Sequence, residues 1–291
     1  MLLRAVIGLC VCLTLRAAFP QIPARETPPD TRAYSAAYVI TDPEQRIAAF
    51  LKFKADFPES PLLAGADQAI LSTLIKKLPG QTDRIRHFAS ETLRRAPRNS
   101  RGALAITIAG QLLNADLLLP QAREYALRSL TSQTMASYVR EQLAAYAHRG
   151  QTPPWSQEFE RRYRELRAGR TITLGRIEWK LGHTAEAQRL LEAAHAILPA
   201  NIAAQATLGE LAAKSGDFTK ALDYLIPAQL SGNSTKEGTA ALESIYRRQH
   251  GDSLAGFDAF LDAEYRKRVP NPVRAMQRPP AATRSDRVAL A

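Results

Sequence analysis

The sequence predicts an all-α solenoid, a stack of antiparallel helical hairpins. Three observations carry this. Ala and Leu dominate a chain that is 45% hydrophobic, 23% charged and only 7% aromatic, and both residues lose little side-chain freedom in a helix. Apolar residues recur at three- and four-residue spacing in segments of about 12–18 residues, each closed by Pro or Gly. Part of the chain repeats itself after 34 residues, a period typical of stacked helical hairpins. At 291 residues the chain is long enough to bury a sizeable core.

The elements follow in order. Residues 20–41 hold a Pro-rich stretch, "PQIPARETPPDT", and read as a linker. The repeat domain spans 42–268. It opens with Asp42 as N-cap and Pro43 in the first turn, where a missing N–H costs little. Ile47, Phe50, Leu51, Lys54 and Phe57 mark one face of that helix. Helices are predicted over 61–78, 82–96, 99–116, 120–130, 132–148 and 155–168. Hairpins are predicted near 170–198 and 201–230, and a last pair near 235–249 and 253–268.

Superposing 172–199 on 206–233 gives eight identities in 28 positions, against about two or three by chance. Leu174-Gly175 falls on Leu208-Gly209, Gly182 on Gly216, Ala187 on Ala221, Leu191 on Leu225 and Ala194 on Ala228. These residues resemble the tetratricopeptide repeat, over units 168–201 and 202–235. In that family a Leu-Gly pair lets a neighbouring helix approach, a Gly ends the first helix, and small Ala residues line the crossing on the second. The first unit closes with Pro199, as the family does; the second has Asn233 there. The family's mid-helix aromatic is replaced by Glu178 and Ala212. Phe57-Pro58 and Ala96-Pro97 look like the ends of second helices in degenerate units. The resemblance implies a tetratricopeptide-like solenoid whose first helices line a concave groove for an extended peptide or a partner helix. Arg176, Trp179, Lys180, Glu210 and Lys214 would face it. A Trp beside Arg and Lys suits a peptide both apolar and acidic. The alternative places Trp179 in the core against the helix that starts at Trp155.

The net charge is +11, but +6 of it lies in residues 266–291. Elsewhere Lys and Arg interleave with Glu and Asp as solvated helix faces, so no specific nucleic-acid partner is expected. Both cysteines, Cys10 and Cys12, fall in an apolar run, Ala5–Leu15, behind the single charge of Arg4. Eleven residues span only about 16 Å as helix, too short for a bilayer core of about 30 Å. Residues 1–19 therefore read as a signal peptide, and the protein as exported, periplasmic or secreted, with no transmembrane anchor. Removing that segment would leave no cysteine. No two of the five histidines stand in HxxxH or HExxH spacing, and GxSxG, GxGxxG and GxxxxGK[ST] are absent. No catalytic residue, metal ligand or cofactor is expected within the chain.

Residues 269–291 form a basic, Pro-rich linker ending in Val288-Ala289-Leu290-Ala291. Residues 256–275 with this ending resemble the junction in bacterial exported proteins where helical repeats lead into a thioredoxin-fold domain. That resemblance implies a C-terminal domain beyond residue 291. Two functions stand side by side: a non-catalytic scaffold that binds another protein or peptide, and the N-terminal region of a thiol-disulfide oxidoreductase.

Overall fold

The computed structural model describes residues 27–232 and 234–268. The expected signal peptide (1–19), both cysteines, Asn233 and the tail 269–291 lie outside the described residues. Among those described, the chain forms thirteen α-helices and no strand. They are α1 (Pro29–Tyr38), α2 (Pro43–Asp56), α3 (Leu63–Lys77), α4 (Thr82–Arg95), α5 (Arg101–Asn114), α6 (Leu119–Thr131), α7 (Met135–His148), α8 (Ser156–Lys180), α9 (Thr184–His195), α10 (Ile202–Ser215), α11 (Phe218–Leu230), α12 (Lys236–Gln249) and α13 (Phe257–Arg268). Neighbours in sequence pack as pairs, and the pairs stack into an α-solenoid. No described helix is long and apolar enough to cross a membrane.

Two expectations are corrected. Residues 29–38, read as part of a linker, form α1, with Pro28 at the cap and Pro29 in the first turn, where proline is tolerated. Tyr34 holds this helix on the stack: its ring meets Phe50 and Phe53 edge-on, with centroids 5.5 and 5.6 Å apart. The helix predicted over 155–168 and the first helix of the next hairpin are one continuous element, the 25-residue α8. No proline interrupts it, and Gly169 carries no positive φ that would mark a stop.

The core has three parts. The first runs through α1–α6 and takes in Leu174 and Ile177 of α8 and Leu190 of α9, so α8 ties the N-terminal hairpins to the later ones. The second lies among α8, α9 and α10, and the third among α10 to α13. The N-terminal half of α8 pairs with α7, which buries none of its residues fully. Tyr146 against Phe159, and Tyr138 against Tyr163, hold that pair together.

The repeat-defining residues sit at the tight crossings. Ala187, Leu191 and Ala194 on α9, and Ala221, Leu225 and Ala228 on α11, are buried, as are Leu174 and Leu208. A Cβ added at Gly175 would stand 2.8 Å from Leu191 Cγ, and one at Gly209 2.5 Å from Leu225 Cγ. Gly182 and Gly216 turn the chain at φ 85° and 84°, a conformation that a side chain penalises. Pro199 follows α9 in the turn before α10.

Candidate functional site: a cleft on the first helices

The C-terminal half of α8, α10 and α12 are the first helices of three consecutive hairpins, with α10 packed between the other two. On this side opens a cleft of about 560 Å³. Trp179 stands at one end. Glu210, Ala213 and Lys214 come from α10, Phe218 from the start of α11, and Glu237, Ala241, Ile245 and Arg248 from α12. The pocket is thus built from four helices, with Trp179, Phe218 and Ala241 among its apolar members.

Its polar groups are orderly. Glu210 accepts from Trp179 Nε1 at 3.0 Å and from Thr235 Oγ1 at 2.5 Å. That carboxylate fixes the indole and ties α8, α10 and the cap of α12 together. Lys214 Nζ stands 4.7 Å from the centroid of the Trp179 ring, and the Arg248 guanidinium 5.2 Å from that of Phe218, both within cation–π range.

Of the five residues expected in the groove, Trp179, Glu210 and Lys214 line this cleft. Arg176 is half-buried beside it, and burial pushes its pKa down while the charge of Glu210 opposes the shift. Lys180 does not line it but stands 3.7 Å from each of two carboxylates, Asp116 and the cleft's own Glu237. Trp179 is half-buried and also packs against the second core cluster of α8, α9 and α10, as the alternative reading has it in part; Trp155, at the opposite end of the same helix, is 88% exposed.

Phe218, Ala241, Ile245 and Arg248 were missed by the sequence reading. A signal existed: one further step of 34 carries Leu208 to Leu242 and Lys214 to Arg248. It was masked because Glu243 and His250 stand where the earlier units have Gly209 and Gly216. Also missed was the role of Glu178, which is 1% exposed. It accepts from Arg123 Nε of α6 and from His183 Nδ1, each at 2.6 Å. At the position of the family's aromatic, it joins the N-terminal hairpins to the repeats.

Residues 178–244, which take in most of these cleft residues, match the family described as tetratricopeptide repeat. This segment is a tetratricopeptide repeat region within the all-α stack. The matched segment starts inside α8 and ends inside α12, so this tetratricopeptide stack runs past the two units that are most alike. No curated protein matches the chain. Tetratricopeptide repeats typically mediate protein–protein interaction, and the solenoid is an interaction module of that type. Among the described residues no three His, Cys, Asp or Glu side chains lie close enough together to hold a metal ion.

Proposed function

We propose that this is an exported scaffold module, non-catalytic in itself, which holds an extended segment of a partner protein in the cleft along α8, α10 and α12. The observation that carries the reading is the fixed indole of Trp179. Glu210 orients it, and with the half-buried Phe218 and Ala241 it offers a preformed apolar seat between polar rims. Ordering such a seat in advance removes a cost that binding would otherwise meet. The cleft holds Ser215 at its end and Ser244 on α12, but no histidine lines it. Export rests on residues 1–19, where a short apolar run follows one positive charge.

The cleft is tested by selecting binders to the full chain from a displayed library of random peptides. Selected peptides should bind the wild type, lose binding to Ala241→Arg, which fills the seat, and keep it with Leu51→Arg on a distant surface. Equal binding to Ala241→Arg would overturn the proposal. Export predicts that protein recovered from the periplasm or medium of a bacterial host begins between Ala18 and Glu26. An intact mass that still includes Met1–Leu15 would refute it.

A further inference from the structure

Lys180, Lys214 and Arg248 are spaced 34 residues apart, and each lies in the last turn of its helix, α8, α10 and α12 respectively. The same repeat position thus carries a cation three times. The three differ in what holds them. Lys180 is engaged by Asp116 and Glu237. Lys214 and Arg248 have no carboxylate partner among the described residues; each stands over an aromatic ring on the cleft wall. The two carboxylates of the cleft are already occupied, Glu210 by Trp179 and Thr235, and Glu237 by Lys180. A cation in a last helical turn also complements the helix dipole. That role does not require a place above an aromatic ring facing a cleft, and both free cations have one.

Resting on the groove reading above, we propose that the cleft takes an acidic segment of a partner protein, in polyproline II conformation, with carboxylates at every third residue. Packed helices lie about 8–10 Å apart, and a polyproline II chain advances about 9 Å per three-residue turn. Every third side chain returns to the same face of such a chain, so successive carboxylates meet Lys214 and Arg248 in step. The residues between them reach the apolar surface of Phe218 and Ala241. That surface favours a peptide over a nucleic acid, whose backbone has nothing to place there.

The test uses Trp155→Phe protein, which leaves Trp179 as the only indole of the two in the chain, and follows its fluorescence. The probe is a short peptide with glutamate at every third position and proline or alanine between. Controls are the same composition with glutamate at every second position, a glutamine version, and a single-stranded oligonucleotide. The third-residue peptide should bind roughly tenfold or more tightly than either peptide control, a difference of one decade in Kd. Lys214→Gln and Arg248→Gln should each weaken it about three- to fivefold, as expected for exposed charge pairs, while Lys76→Gln, on α3 away from the cleft, should leave it within about twofold. Equal binding of the three peptides, still lost in Ala241→Arg, would overturn the carboxylate register and leave the groove standing. Absence of binding, while library-selected peptides are still held, would do the same. Peptide binding that survives Ala241→Arg would remove both proposals. Tighter binding of the oligonucleotide would overturn the assignment to a protein partner.

Discussion

The C-terminal repeats and the N-terminal hairpins perform the same construction with different chemistry. In α8–α11 the helices approach through glycine: Gly175 and Gly209 leave room for Leu191 and Leu225. The turns are made by Gly182 and Gly216 at φ near 85°. In the N-terminal hairpins rings fill the contact between α1 and α2, where Tyr34 meets Phe50 and Phe53 edge-on, and the glycines there admit polar side chains, Gly65 the Tyr34 hydroxyl and Gly102 Ser132, where Gly175 and Gly209 admit a leucine of the paired helix. The turn between α5 and α6 is left-handed as well, yet Asp116 (φ 55°) and Leu118 (φ 48°) make it without any glycine. Close approach restricts residue choice to Gly and Ala, and a left-handed turn favours Gly, so wherever the chain uses these residues it leaves a mark in the sequence. A crossing filled by large apolar groups accepts many residues and leaves none.

The largest effect expected from this contrast is on the aromatic side. Phe50→Ala removes a ring that is 0% exposed, and such truncations cost about 3–5 kcal/mol. Solenoid units contact mainly their neighbours, so the damage should stay local. Hydrogen exchange should then show α1–α3 losing protection while α10–α13 keep theirs. Uniform loss along the chain would mean that the two regions unfold as one unit and that the contrast has no energetic counterpart.

The glycine side gives a smaller and sign-changing pair. At Gly209 a new Cβ meets Leu225 Cγ at 2.5 Å and its backbone N at 3.2 Å. Gly209→Ala should destabilise by about 1–3 kcal/mol through overpacking. Gly110, inside α5, has nothing within 4 Å of a built Cβ. There Gly110→Ala should stabilise by about 0.5–1 kcal/mol, since alanine orders more readily in a helix. Urea melts of the two variants measure both. If they shift in the same direction, glycine is not what sets the distance between α10 and α11.

The same distinction explains what could be read beforehand. The two repeat units and most helix bounds were legible because caps, closing prolines and glycine turns impose residue types. Asp42 as N-cap is one case: its side chain accepts from the Gln45 N–H at 2.8 Å. The continuity of α8 was not legible, since residues 166–171 contain no stop signal but do contain a glycine and a Thr, which weaken helical periodicity. α1 was hidden behind prolines that start a helix as readily as they mark a linker. Three of the twelve cleft-lining residues, Trp179, Glu210 and Lys214, were legible from the sequence. The α12 wall of the cleft was not, because α12 keeps the spacing of Leu242 and Arg248 but lacks the glycines that make a unit conspicuous. Nothing in the sequence alone distinguished Lys180 from Lys214, since the carboxylates that hold Lys180 come from α12 and from the turn after α5.

The smallest effect concerns a link within the repeats that the N-terminal hairpins have in another form. Glu192 of α9 accepts from Lys220 Nζ of α11 at 3.0 Å and from Gln188 at 3.0 Å. These bonds, that from Gln188 first, hold the Glu192 carboxyl below its ordinary value of 4.5. A carboxyl with a depressed pKa binds its proton less tightly in the folded state. It therefore adds stability that is complete above the ordinary value and is lost as pH falls through the lowered one. Both side chains are about two-fifths exposed (41% and 42%), so solvent screening keeps the pair below about 1 kcal/mol. Glu192→Gln should accordingly lower stability slightly at neutral pH and by less in acid. The corresponding link in the N-terminal hairpins, Lys54 with Asp67, is more buried, at 18% for each side chain, and Asp67→Asn should cost more because it leaves a cation with poor access to water. Urea melts of both variants at pH 7 and pH 3 would separate the cases. Equal losses at neutral pH would show that burial of the pair does not set its worth, and a Glu192→Gln loss unchanged in acid would show that the carboxylate charge is not what joins α9 to α11.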